Sequence, residues 1–209
     1  TQDNFLFSTT LKENINLFKD DDINEEIESS TKKAMIYDDI SEMKDGLNTE
    51  VSEKGSINAN YVDISYADET INSFGETYIE NIKVSNSHTG INAYDTVLSI
   101  KNSIFDNVYM NSFVYSTNDK PAKLTLLGNK FENMKEIIGT INLTRSGGDE
   151  LVVSNNTSKN NIKNGVLFNG SLDIDTSLNN IGTNIPYIIS DLRVNKGSTL
   201  DIVAGTILK

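Results

Sequence analysis

An internal repeat constrains this chain more than any other feature. Leu98-Ser99-Ile100-Lys101-Asn102-Ser103-Ile104-Phe105-Asp106-Asn107-Val108 can be laid on Leu124-Thr125-Leu126-Leu127-Gly128-Asn129-Lys130-Phe131-Glu132-Asn133-Met134 at an offset of 26 residues. Apolar positions coincide, Leu98 with Leu124, Ile100 with Leu126 and Phe105 with Phe131, and Asn107 coincides with Asn133. The same offset backwards lays Ile79-Glu80-Asn81-Ile82 on Phe105-Asp106-Asn107-Val108. An offset of 27 forwards lays Leu151-Val152-Val153 on Leu124-Thr125-Leu126 and Asn160 on Asn133. Leu172-Asp173-Ile174, Leu192-Arg193-Val194 and Leu200-Asp201-Ile202 read as later, shorter versions. Further period-2 runs keep step: Phe113-Val114-Tyr115, Ile137 to Leu143, Val166-Leu167-Phe168 and Tyr187-Ile188-Ile189.

Short alternating strands recurring every 20–30 residues mean a solenoid, because one repeat cannot bury its own apolar face. A leucine-rich repeat needs a helical return and a Leu-rich consensus, and both are absent. The pattern predicts a mainly β fold, a parallel β-helix, over residues 58–209. Asn81, Asn107, Asn133 and Asn160 are expected to form a structural ladder inside one corner, their amides satisfying turn backbone. The ending, Val194-Asn195-Lys196-Gly197-Ser198-Thr199-Leu200-Asp201-Ile202 to Gly205-Thr206, resembles the repeats of bacterial right-handed β-helix proteins, and the resemblance implies a right-handed parallel β-helix. The chain starts at Thr1 and stops in mid-pattern, as a fragment would.

Residues 1–57 follow a different grammar. Leu11, Ile15 and Phe18 recur at helical spacing, and Asp22 with Glu25 has the form of a capping box. Ile23, Ile27, Thr31 and Ala34 fall on one helical face, with Glu28–Lys32 as an i,i+4 pair. A second helix is expected from Tyr37 to Met43, closed by Gly46 as C-cap. The expectation is therefore a small α-helical segment preceding the β-helix.

Charge excludes one class of partner. The net charge is −12, with 14 acids against 6 bases in residues 1–57 and 16 against 12 in residues 58–209. Neither part offers a basic stripe for a phosphate backbone, so no nucleic acid is expected as partner. There are no cysteines, hence no disulfide and no thiolate metal site, and no metal site is expected otherwise. No apolar run is long enough to span a membrane.

The first segment resembles the nucleotide-binding domain of ABC exporters. Gln2-Asp3-Asn4-Phe5-Leu6-Phe7-Ser8-Thr9-Thr10-Leu11-Lys12-Glu13-Asn14-Ile15 is similar to the family's Q-loop and the stretch after it, "Q-D-x-x-L-F-S-G-T-x-x-E-N-I". Asp45-Gly46-Leu47-Asn48-Thr49-Glu50-Val51-Ser52-Glu53-Lys54-Gly55 resembles "G-x-x-T-x-V-G-E-x-G", the loop before the signature sequence. Ala34-Met35-Ile36-Tyr37-Asp38-Asp39-Ile40 resembles the helix between them. The resemblance implies that Gln2 faces the metal and γ-phosphate region. It implies that Phe5, Leu6 and Phe7 receive the coupling helix of a transmembrane domain, and that Glu53 is the acid of the cross-talk loop. Ser52 departs from the family's Gly. A complete domain of this kind uses ATP and Mg.

The rest of that machinery is missing. Phosphoryl transfer needs a phosphate cradle, a metal and a positioned water. No G-x-x-x-x-G-K-[ST] occurs, and Ile57-Asn58-Ala59-Asn60 stands where the signature should begin. The expectation is an incomplete ABC-ATPase-like fragment joined to a β-helix as a chimera, without catalysis or cofactor of its own. The ABC-like part implies the cytoplasmic side of a membrane, whereas the β-helix implies the cell surface or exterior, so localisation stays open.

Two alternatives remain for the β-helix. One is a surface module binding carbohydrate or protein, with Tyr61, Tyr66, Tyr94, Tyr109 and Tyr115 as stacking candidates. The other is a polysaccharide lyase or hydrolase. For it Asp149, Glu150, Asp173 and Asp175 are the carboxylates, with Arg145 or His88 as charged or basic partner. Asp173 and Asp175 alternate with Leu172 and Ile174, as on a solvated strand face.

Overall fold

The structure is a computed structural model that describes residues 9–16, 24–43, 45–51, 56–118, 121–148 and 150–209. The chain divides into two compact units, Thr1–Lys54 and Gly55–Lys209. Gln2, Phe5, Leu6, Phe7, Glu53 and the proposed Asp22–Glu25 capping box fall wholly or partly outside the described residues.

In the first unit β1 (Thr9–Thr10) is followed by helices α1 (Leu11–Asn16), α2 (Asn24–Lys33) and α3 (Tyr37–Glu42), then β2 (Glu50–Val51). The two strands pair antiparallel, Thr9 with Val51. Ile27 and Thr31 are buried on one face of α2, as the spacing predicts, but Ala34 lies exposed beyond the helix. The Thr31 hydroxyl donates back to the Ile27 carbonyl (3.0 Å), and Lys32 meets Glu28 at 2.6 Å one turn away. Helix α3 ends at Glu42, where Met43 turns extended (ψ 143°). Gly46, the expected C-cap, instead opens a short 3-10 turn with φ +52°.

The second unit is built of strands in threes. The first triplet is β3 (Ile57–Asn60), β4 (Asp63–Ser65) and β5 (Glu69–Ser73). The second is β6 (Thr77–Glu80), β7 (Lys83–Ser85) and β8 (Thr89–Tyr94), the third β9 (Val97–Lys101), β10 (Ile104–Asp106) and β11 (Phe113–Asn118). The fourth is β12 (Lys123–Leu127), β13 (Lys130–Glu132) and β14 (Ile137–Ser146). The fifth is β15 (Glu150–Ser154), β16 (Asn156–Lys159) and β17 (Lys163–Leu172). The sixth is β18 (Thr176–Leu178), β19 (Gly182–Thr183) and β20 (Tyr187–Val194), and β21 (Leu200–Ile202) follows.

Every strand from β6 onward pairs in parallel with the strand three before it, except that β18 forms no ladder with β15. Three parallel sheets result: β3-β6-β9-β12-β15, β4-β7-β10-β13-β16-β19 and β5-β8-β11-β14-β17-β20, with β18-β21 as a separate pair. The register superposes like on like: Leu98, Leu124 and Leu151 in the first sheet, Val84, Phe105 and Phe131 in the second. These side chains are buried, and each contributes about 1.5–3 kcal/mol by leaving water. Phe105 stacks on Phe131 at 5.6 Å between centroids. Gly139 lies against the Phe113 ring, where an added Cβ would come within 2.3 Å. That contact explains a glycine in the middle of β14 better than flexibility does.

The corners explain why the strands are so short. In the first five triplets, the residue after the first strand and the residue after the second strand each take a left-handed conformation. After the first sheet these are Tyr61, Asn81, Asn102, Gly128 and Asn155; after the second they are Tyr66, Asn86, Asn107, Asn133 and Asn160. Asn and Gly occupy this region at the lowest steric cost, which ends a strand and turns the chain.

Several sequence-based expectations need correction. Asn107, Asn133 and Asn160 do share a corner, but Asn81 belongs to the preceding one, because Ile79 pairs with Ile100 and not with Phe105. The early triplets are displaced by about 20 residues (Ile57 to Thr77), not 26, since the sheets fix the strands and leave corner length free. Nor do these asparagines point inward: Asn107 and Asn133 are partly exposed and Asn160 is exposed. The inner corner is held instead by Ser103, Asn129 and Asn156, all at 0% exposure. The Asn129 amide accepts from the Ser103 backbone N–H (3.0 Å) and donates to the Ile100 carbonyl (2.8 Å). Asn156 repeats the pattern one triplet later, accepting from the Asn129 N–H (2.9 Å) and donating to the Leu126 carbonyl (2.9 Å). Leu172, Leu192 and Leu200 are likewise not equivalent, because Leu172 pairs with Val194 and Leu200 with Thr176.

Candidate functional site

The outer face of the third sheet carries the most distinctive surface of this unit. Strands alternate, so Ile91 and Ala93 of β8 turn inward and are fully buried while Asn92 and Tyr94 turn out. The register extends this into two rows that run across the sheet. One is Asn72, Asn92, Val114, Thr140, Leu167 and Ile188. The other begins with Phe74 beside Tyr94 and continues through Ser116, Asn142 and Asn169. Phe74 is 77% exposed and its ring stacks on Tyr94 at 5.4 Å between centroids, 26° from coplanar.

Such a stacked pair beside a strip of amides and hydroxyls combines an apolar platform with donors and acceptors. Fold geometry explains the placement. The 4.7–4.9 Å spacing of paired strands brings same-row side chains into contact, so Phe74 and Tyr94, twenty residues apart in sequence, become neighbours.

The other aromatic candidates separate cleanly. Tyr61 and Tyr66 are 81% and 80% exposed at the two left-handed corners. Tyr109 is exposed and stacks on His88 at 5.3 Å, so the histidine forms part of a ring pair. Tyr115 is fully buried: its hydroxyl donates to the Thr96 carbonyl (2.9 Å) and accepts from the Lys123 N–H (2.8 Å). Burial pushes its pKa up to about 12. Tyr115 is therefore a core residue, not a stacking platform.

Each described carboxylate among those expected for catalysis is engaged with a partner of its own. Asp149 lies outside the described residues. Glu150 is exposed and 3.6 Å from Lys123. Asp173 accepts from the Asn195 amide (2.5 Å) and Asp175 from the Thr199 N–H (2.7 Å), both closing neighbouring turns. Arg145 is exposed at a bulge within β14, with φ +50°. Among the described residues no three acidic or histidine side chains gather as a metal site would require.

The chain matches no family model, no characterised protein and no solved structure. The reading of the site therefore rests on its geometry. Sequence analysis singled out Tyr94 but missed Phe74, Asn72 and Asn92. Phe74 follows its strand with no period-2 signal, and only cross-strand register shows that it meets Tyr94.

Proposed function

We propose that residues 55–209 form a right-handed parallel β-helix that serves as a non-catalytic recognition module for carbohydrate outside the cell. The β-helix reading is supported by strands that step through three parallel sheets in turn, each pairing with the strand three before it. The observation that carries the function is the stacked ring pair of exposed Phe74 and half-buried Tyr94, in line with Ser116, Asn142 and Asn169. Aromatic rings take up the C–H face of a sugar, and neighbouring amides exchange hydrogen bonds with its hydroxyls.

The test is a glycan array probed with the full chain. Binding to a defined set of glycans that is lost in Phe74→Ala and Tyr94→Ala supports the module. Absence of binding to every arrayed glycan refutes it. Release of shortened sugars from a bound polymer favours the lyase or hydrolase alternative.

For residues 1–57 the proposed reading is an ABC-ATPase-like fragment, supported only by its sequence motifs. A complete parent would partner the transmembrane domain of an exporter and use ATP and Mg. The fragment itself should release no phosphate from ATP; hydrolysis by the pure chain that disappears in Gln2→Ala would overturn this.

A further inference from the structure

Asn92 is anomalous within this face. It lies mid-strand in β8 and points away from the core, yet it is only 9% exposed. Its carboxamide has no hydrogen-bond partner among the described residues. Ser103, Asn129, Asn156 and Thr176, buried in the same unit, close instead on backbone groups, whereas Oδ1 of Asn169, in the neighbouring row, is buried without a partner. The Asn92 amide atoms keep contact with solvent, and without a protein partner they are free to exchange hydrogen bonds with a bound group. Asn72 stands beside Asn92 in register, and Phe74 stacks on the next outward residue, Tyr94. Neither row contains a charged residue, although 23% of the chain is charged.

We propose that Asn92, with Asn72 and the Phe74–Tyr94 pair, forms a subsite for one uncharged sugar ring of an extended glycan. This rests on the carbohydrate-binding reading above and makes it specific. The ring's C–H face lies on the aromatic pair. The Asn92 Nδ2 donates to one hydroxyl and its Oδ1 accepts from the neighbouring hydroxyl, a pairing only a group with both functions provides. A uronic acid would bring a carboxylate to rows with no cation to pair it, and its desolvation would go uncompensated.

The full chain is titrated calorimetrically with cellohexaose, mannohexaose, maltohexaose and hexagalacturonate. At least one neutral hexasaccharide should bind, and hexagalacturonate should bind at least about tenfold more weakly. Asn92→Ala should weaken the neutral sugar about tenfold while Asn107→Ala, at an outer corner, leaves it unchanged. Because Asn92 makes no internal hydrogen bond, the alanine variant should keep the wild-type melting temperature. Should it fail to fold, the Asn92 side-chain amide resonances of the wild-type chain replace it, and they should shift on addition of the bound hexasaccharide. Neutral-sugar binding untouched by Asn92→Ala, unmoved Asn92 amide resonances, or a preference for hexagalacturonate overturns the subsite and leaves the carbohydrate module standing. No binding of any of the four at millimolar concentration overturns both.

Discussion

Two columns of asparagine run through this protein, and they are there for opposite reasons. Asn86, Asn107, Asn133 and Asn160 line an outer corner in left-handed backbone conformations. Asn129 and Asn156, below Ser103, line an inner corner with no exposed surface. The outer column is chosen for what its backbone tolerates, and its side chains add surface hydrogen bonds such as Asn107 to Asn86 (2.8 Å). The inner column is chosen for what its side chain can donate and accept. Residue identity alone does not distinguish the two; glycine can replace one kind and not the other.

Substitutions should separate the columns, the inner one first. Asn129→Ala strands the Ser103 N–H and the Ile100 carbonyl in a dry corner and should cost about 3 kcal/mol in urea unfolding. A cost under about 1 kcal/mol would mean that water replaces the amide and that the inner column is dispensable.

The next effect is alkaline. Tyr115 and Tyr187 share the logic of the inner column, each hydroxyl closing on a backbone carbonyl, Thr96 and Asn179 respectively. Burial raises both above the ordinary value of 10.0, Tyr115 to about 12 and Tyr187 further. The unfolded chain ionises near pH 10 while the folded chain keeps its protons. This stabilisation is complete below pH 10 and is lost as the pH climbs from 10 towards 12. The decline should reach about 1.4 kcal/mol per pH unit for each tyrosine. Tyr115→Phe and Tyr187→Phe should each flatten the stability-versus-pH curve across that window, whereas Asn107→Gly should leave its slope unaltered.

Smaller effects belong to the outer column. Asn107→Ala places a Cβ residue without local compensation in the left-handed region and should cost about 1 kcal/mol, whereas Asn107→Gly should stay within about 0.5 kcal/mol of wild type. If both cost the same, the outer asparagines hold through their side chains after all. At the head of the outer column Tyr66 takes the same conformation (φ +59°), as does Tyr61 (φ +56°) at the corner after the first sheet. Tyr66→Gly should therefore stabilise by a few tenths to about 1 kcal/mol in the same assay.

Much of the second unit was legible because period-2 alternation and a recurring apolar register survive in linear form. Leu98 over Leu124 and Phe105 over Phe131 are visible as an offset, and the sheets keep it. The N-terminal unit was legible only locally, in the Glu28–Lys32 pair and the buried face of Ile27 and Thr31. Asn81 was misassigned because a fixed offset assumes corners of equal length, whereas hydrogen-bonded strands tolerate corners that vary. The candidate site was legible in one residue of four: Tyr94 advertises itself, but an asparagine such as Asn92 carries no sign of being outward, buried and unpaired.

By itself the amino-acid sequence determined that strands would be short, parallel-stacked and turned by Asn and Gly, because alternation and backbone preference are local properties. Only the tertiary structure decided which asparagine satisfies the interior and which merely bends the chain, and which aromatic rings touch. Those are consequences of register, which is set by pairing between strands some twenty to thirty residues apart and is therefore not carried by any one segment.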